Sequence, residues 1–168
     1  MKLLGVTGWK NMGKTTLTER LISFYSAQGL TLSTIKHTHH GVDLDRPGTD
    51  SHRHRAAGAG QVVLASRARV AVMTELGDAP EREVADILAA LAPCDLVLVE
   101  GFKNTPHPKI EVFRANAAQA NLPLAAEYPS IRAIAGDVGA WETALPVMPL
   151  DDIPALAALG LEIAEPVP

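Results

Sequence analysis

Near the N-terminus, Gly8-Trp9-Lys10-Asn11-Met12-Gly13-Lys14-Thr15 follows the spacing G-x-x-x-x-G-K-T. This is the Walker A pattern, in which backbone N–H groups replace the water lost by a chain of phosphates. Gly8 and Gly13 permit turns and close approaches that a Cβ would obstruct. Lys14 is placed to reach the β- and γ-phosphates, the Thr15 hydroxyl to ligate Mg²⁺, and Thr16 to continue the first helical turn, where the helix dipole favours anions. The chemistry these residues could do is nucleoside triphosphate binding with Mg²⁺.

Other residues extend that chemistry. Glu100 closes the apolar run Leu96-Val97-Leu98-Val99 and could hold Mg²⁺ or its water opposite the loop. With Lys14 it is the candidate catalytic pair. Asp50 is a second metal candidate, balanced against a helix N-cap. Lys36, Lys103, Lys109 and Arg114 could form a second anion site, although each alone reads as a solvated charge. His37, His39 and His40 follow Lys36. A closed zinc site would want four ligands, commonly with cysteine, and none is nearby, so the histidines read as solvated or as contacting a second ligand or partner. No Asn-Lys-x-Asp motif is present, so the residues leave the base undetermined. Asp137 could pair with guanine or cap a turn.

These residues need elements to hold them. Leu3 to Thr7 reads as a strand into the loop. Leu17, Leu21, Phe24 and Tyr25 fall at helical spacing after it, and Gly29 closes the helix. Leu30 to Lys36 reads as a second strand, and Ser51 to Ala57 as a short helix capped by Thr49 or Asp50. Gln61 to Ala65 and Arg69 to Thr74 read as a β-hairpin, with Val62, Leu64, Val70 and Val72 on one face and a possible role in dimerisation. Pro80 is placed in the first turn of a helix carrying Val84, Ile87, Leu88 and Leu91. The run 95–101 reads as a central parallel strand. Lys109 to Arg114 alternates as a further strand, Ile131 to Ala135 is a short one, Val147-Met148 a last one, and Ile153 to Leu159 a closing helix. The segment 115–130 has no clear pattern, and the tail from Pro166 reads as loose. Strands alternating with helices predict a three-layer α/β fold with a mostly parallel sheet and an antiparallel hairpin insertion. Gly8, His37, Glu100 and Asp137 would then gather at the carboxyl edge.

Length and composition bound the class. The chain has 168 residues, 47% apolar and 20% charged, and carries a net charge of −4. It reads as a single domain, 1–168, with a proper core and no global field to attract nucleic acid. One cysteine, Cys94, excludes an internal disulfide and fits a reducing compartment. With no signal peptide and no membrane-length apolar run, the expected location is cytoplasmic.

Taken together, Gly8 to Thr16, Ile35-Lys36-His37-Thr38-His39-His40, Pro47 to Ser51 with Ala57-Gly58, and Leu98 to Lys103 with Lys109-Ile110 and Arg114 resemble the molybdopterin-guanine dinucleotide biosynthesis protein B family. Ala133 to Asp137 adds a weaker block. The resemblance implies a homodimeric GTP-binding protein on a phosphate-loop NTPase fold similar to dethiobiotin synthetase. It implies weak Mg²⁺-dependent GTPase activity and an adapter role in molybdenum cofactor biosynthesis. The partners implied are the molybdopterin guanylyltransferase and molybdopterin-bearing proteins. Carried onto this sequence, the loop residues hold the phosphates, and Thr15 and Glu100 hold Mg²⁺, with Asp50 as a further ligand. Lys10-Asn11-Met12 is bulkier than the usual loop interior. The alternative is a small-molecule kinase or ligase on the same fold, holding an acceptor with Lys36, the histidines and Lys103.

Overall fold

The computed structural model describes residues 1–38, 41–117 and 122–167. The chain divides into two compact units, Thr38–Glu83 and a larger one formed by Met1–His37 with Val84–Pro168.

The larger unit is built on a seven-stranded sheet. Its strands are β1 (Lys2–Thr7) and β2 (Leu32–Lys36), then, beyond the smaller unit's β3 (Gln61–Ala65) and β4 (Val70–Thr74), β5 (Leu96–Glu100), β6 (Lys109–Arg114), β7 (Ile131–Asp137), β8 (Val147–Met148) and β9 (Glu165–Pro166). The order is β2-β5-β1-β6-β7-β8, with every neighbouring pair parallel. β5 therefore lies between β1 and β2 and is buried along its whole length. This explains its unbroken apolar run, since both faces must be covered. Leu4, Val6, Leu96 and Leu98 pack with Leu17, Leu21 and Tyr25 of helix α1 (Lys14–Ala27) and Leu156 of the C-terminal helix. Leu3, Ile35, Val97 and Val99 pack on the opposite face with Val84 and Leu88 of a short helix. Burying each such aliphatic side chain contributes roughly 1.5–3 kcal/mol.

Three expectations in this unit are corrected. The helix expected from Pro80 is only Val84–Ala89; i→i−3 bonds from Ala90 and Leu91 tighten and end it ahead of Pro93. The closing helix runs past Leu159, over Ile153–Ile163, with Asp152 accepting the Ala155 N–H as its cap. Tyr25 Oη bonds the Ala157 carbonyl at 2.9 Å, and a Cβ at Gly160 would collide with that hydroxyl. The tail is anchored, because β9 pairs antiparallel with β1 and the Val167 N–H donates to the Met1 carbonyl.

The smaller unit carries a helix, Asp50–Ala56, and the hairpin β3–β4. We label the helices α2 (Asp50–Ala56), α3 (Val84–Ala89) and α4 (Ile153–Ile163). Arg55 pairs with Asp43, Asp45 and Glu75, binding the segment before α2 to the end of β4. Pairing of Val62 with Met73, Val63 with Val72 and Ala65 with Val70 sets the hairpin register. Val62 and Leu64 therefore share one face with Ala71 and Met73, while Val63, Val70 and Val72 occupy the other, correcting the expected grouping. The Ser66–Arg69 turn, closed by Ser66 N–H to the Arg69 carbonyl, decides this parity.

Candidate functional site

Parallel pairing brings the ends of β1, β2, β5, β6 and β7 to one edge, as the strand-end rule requires. β1 runs into the loop Gly8–Gly13, and α1 starts at Lys14. Gly8 has φ 138°, and a Cβ there would run into the Val112 carbonyl of β6. Gly13, in the left-handed region, is the N-cap of α1 and supplies no side-chain cap. The first-turn N–H groups are thus left without a side-chain acceptor, the arrangement that suits an anion. The bulky loop residues have separate accommodations. Met12 turns into the core, Trp9 packs against it, and Asn11 takes a positive φ of 64°. Lys10 and Asn11 are exposed, as are Thr15 and Thr16 at the helix start.

Lys14 Nζ folds back to donate to the Trp9 carbonyl at 2.7 Å. Burial lowers its pKa, while the Glu100 charge opposes that shift. Glu100 shares the parity of Leu96 and Leu98, so it faces the α1 side of the sheet. Thr15 Oγ1 donates to Glu100 Oε1 at 3.0 Å. In β2, Lys36 is the direct register partner of Glu100, and parallel partners share a face. Lys36 Nζ stands 3.0 Å from Glu100 Oε1 and 3.4 Å from Thr15 Oγ1.

Thr15 and Glu100 fit a Mg²⁺ pair. Both present hard oxygens, and an octahedral site with bonds of about 2.1 Å has neighbouring ligands about 3 Å apart, which their separation matches. A site of that kind would take two ligands from the protein and leave its other positions to phosphate oxygens and water. Among the described residues, no group of three or more His, Cys, Asp or Glu side chains could form an all-protein metal cage. Asp50 lies in the smaller unit as the first residue of α2; Thr49 is the N-cap, and its hydroxyl donates to the Arg46 carbonyl.

The cations separate. The Arg114 guanidinium lies against Gly13 of the loop. Lys103 Nζ is 5.9 Å from the ring centroids of both Trp9 and Tyr128. Trp9 Nε1 in turn donates to the Leu122 carbonyl. Lys109 does not join them, which corrects its place in the anion group. It is fully buried, and its ammonium donates to the carbonyls of Thr105 and His107 and to Ser130 Oγ. Burial lowers its pKa to about 8. His37 donates its backbone N–H to the Glu100 carbonyl, and its ring stacks on Phe102 at 4.2 Å. Phe102 holds a positive φ of 45°, a strained value for a bulky residue. His39 and His40 lie outside the described residues. Asp137 closes β7 on the same edge, where Oδ1 accepts the Ala115 N–H at 3.3 Å.

Two residues that position this edge escaped the sequence reading. Glu111 is fully buried and accepts the N–H groups of Leu124 and Ala125, anchoring the segment that brings Leu122 and Tyr128 to Trp9 and Lys103. Burial raises its pKa, and those two hydrogen bonds oppose the rise. His107 is buried beside Gly5. The Thr105 hydroxyl donates to the Phe102 carbonyl, so it accepts from His107 Nδ1–H at 2.8 Å. Nε2 is then the bare nitrogen, without a partner among the described residues. Burial first, and the Lys109 charge second, lower the His107 pKa to about 4. The only sequence signal for Glu111 was polarity inside an apolar strand, which alternation assigns to solvent, and His107 stood in a loop with no signal at all.

A mostly parallel α/β sheet with flanking helices, a glycine loop leading into α1 and an inserted hairpin define a fold of the phosphate-loop NTPase type. Residues 3–137 match the family model described as molybdopterin guanine dinucleotide synthesis protein B, and the chain belongs to that family. The molybdopterin-guanine dinucleotide biosynthesis adapter protein of Escherichia coli (strain K12) is 44% identical over 117 residues, covering 68% of this chain and 67% of that protein. The protein of the same description from Haemophilus influenzae is 47% identical over 115 residues, 67% of this chain and 63% of its own length. The matched stretch therefore spans about two thirds of each relative's length. The crystal structure of Bacillus subtilis MobB superposes with a TM-score of 0.76 at 26% identity, covering 98% of this chain and 99% of that one. Among the described residues, no helix is long and apolar enough to cross a membrane.

Proposed function

We propose that this chain binds GTP with Mg²⁺, hydrolyses it slowly, and serves as an adapter in molybdenum cofactor biosynthesis, assisting the conversion of molybdopterin to molybdopterin guanine dinucleotide. The observation carrying the nucleotide reading is the Thr15–Glu100 pair at 3.0 Å beside a glycine loop that opens a helix. The loop N–H groups from Gly8 to Gly13, the first turn of α1 and the Lys14 ammonium would hold the phosphates. Thr15 and Glu100 would hold the metal, which supplies charge neutralisation at the β- and γ-phosphate oxygens. Arg114, against Gly13, would add positive charge beside the loop. Guanine and molybdopterin come from what the family's relatives are named for. Asp137 is the candidate guanine partner and Asp50 a further metal candidate. His37 and Lys103, with His39 and His40, are offered to a second anionic ligand or to the guanylyltransferase surface. A homodimer working with molybdopterin-bearing proteins completes the reading.

Calorimetric titration with GTP and ATP, with and without Mg²⁺, tests it. GTP should bind more tightly than ATP and release phosphate slowly without phosphorylating a small acceptor. Lys14→Ala should lower affinity at least about 100-fold, as expected from losing a buried charge contact to phosphate. Unchanged affinity in that variant would remove the loop from the site. Phosphorylation of an added acceptor would instead favour a small-molecule kinase.

A further inference from the structure

Lys36 supplies a second cation to the two oxygens that fit Mg²⁺. Its ammonium contacts both Glu100 Oε1 and Thr15 Oγ1, at 3.0 Å and 3.4 Å, and those two oxygens contact each other. The placement is built into the sheet, because the β2–β5 register sets Lys36 directly beside Glu100. Helix α1 then sets Thr15 across from both. An ammonium and a divalent cation compete for this space, since both draw on the Glu100 carboxylate and the Thr15 hydroxyl and their charges repel.

We propose that Lys36 is the resident counter-ion of the Mg²⁺ position, competing with the metal for Thr15 and Glu100 and standing in for it when a triphosphate binds without metal. This rests on the nucleotide reading above. With Lys36 in place, the Glu100 carboxylate is neutralised and does not repel an arriving phosphate chain. The side chain is 61% exposed, so a long flexible stem can swing out when metal enters, carrying its charge to the phosphates. Metal dependence of nucleotide affinity is then shallow, and metal affinity of the nucleotide complex is held down.

The test compares the wild-type protein with Lys36→Met, which keeps the stem and removes the charge, and with Lys36→Arg, which keeps the charge. The probes are a non-hydrolysable GTP analogue, titrated calorimetrically in EDTA and in Mg²⁺, and Mn²⁺, followed by the electron paramagnetic resonance of the free ion. In Lys36→Met, analogue affinity in EDTA should fall about tenfold while Mn²⁺ affinity of the analogue complex rises about fivefold to tenfold, the scale of one partly exposed charge pair. Lys36→Arg should retain most of the metal-free affinity. If Lys36→Met weakens Mn²⁺ binding, or leaves both affinities unchanged, the competition is refuted while the nucleotide reading stands. If the wild-type protein binds neither nucleotide under any metal condition, the nucleotide reading fails first and this inference falls with it.

Discussion

Single side chains at the carboxyl edge and in the loop leading into β6 differ in what holds them. Glu100 is almost buried, yet meets both a hydroxyl and an ammonium, so its charge is matched before any ligand arrives. Glu100→Gln should therefore reduce Mg²⁺-dependent GTP hydrolysis about tenfold or more while changing metal-free GTP binding by only a few-fold, since the carboxylate balances metal charge. Initial phosphate-release rates set against titrations in EDTA check this; equal losses in both would reduce Glu100 to an acid without a metal role. His107 makes a different kind of claim. Its folded-state pKa is near 4 against an ordinary 6.5, because protonation would place an unpartnered N–H in a buried site beside Lys109. Between those values the unfolded chain binds more protons than the folded one, so stability falls as pH drops through the window. The loss should reach the order of 2 kcal/mol. Urea titrations at pH 7 and pH 4.5 check it, and the difference should shrink in His107→Gln, which keeps a donor for Thr105.

At the scale of elements, β6 is the informative strand. Its Lys109, Ile110, Glu111, Val112 and Phe113 are all buried, although two of them are charged. Ile110 and Val112 join the core cluster that contains the α1 residues. Lys109 and Glu111 instead meet irregular chain: the loop 102–108, Ser130 and the turn at Leu124. Irregular segments carry backbone groups that no helix or ladder satisfies. A lysine therefore supplies donors to two carbonyls, and a glutamate accepts from two N–H groups. Through them, β6 holds the loop carrying Phe102 and Lys103 and the segment carrying Leu122 and Tyr128. Removing either side chain leaves buried backbone groups unpaired. Glu111→Ala should cost roughly 2–4 kcal/mol in urea denaturation, from two lost charge-assisted hydrogen bonds and a cavity. A cost below about 0.5 kcal/mol would place Glu111 with ordinary surface substitutions.

At the scale of the molecule, the hairpin unit stands out. Val63, Val70 and Val72, 55%, 65% and 56% exposed, put three valines on one face of a two-stranded ribbon. Such a ribbon is marginal alone, and its edges invite pairing. We propose that this face joins two copies of the chain. Light scattering at micromolar concentration should give the mass of a dimer, and Val72→Lys should shift it toward the monomer by at least about tenfold in dissociation constant, the cost of burying an unpaired charge. A wild-type monomer at those concentrations would rule the interface out.

What the amino-acid order determines alone is local. The glycine spacing at Gly8 and Gly13, the helix after Lys14 and the apolar run ending in Glu100 were legible, because loop dihedrals, helical period and a doubly covered strand all leave marks within a few residues. Even the convergence at one edge followed, since parallel strands must end together. Tertiary structure decided which residues became neighbours. Placing β5 between β1 and β2 made Lys36 the register partner of Glu100, a contact across 64 positions that no short-range pattern encodes. Tertiary packing also buried Lys109 and Glu111, which alternation sends to solvent, because irregular segments rather than water cover them. The hairpin shows the same limit in miniature: the strands were recognisable, but the face shared by Val63 and Val72 depended on the register set by one turn. Local chemistry marks which residues can act, and the pairing of distant strands chooses what they act on.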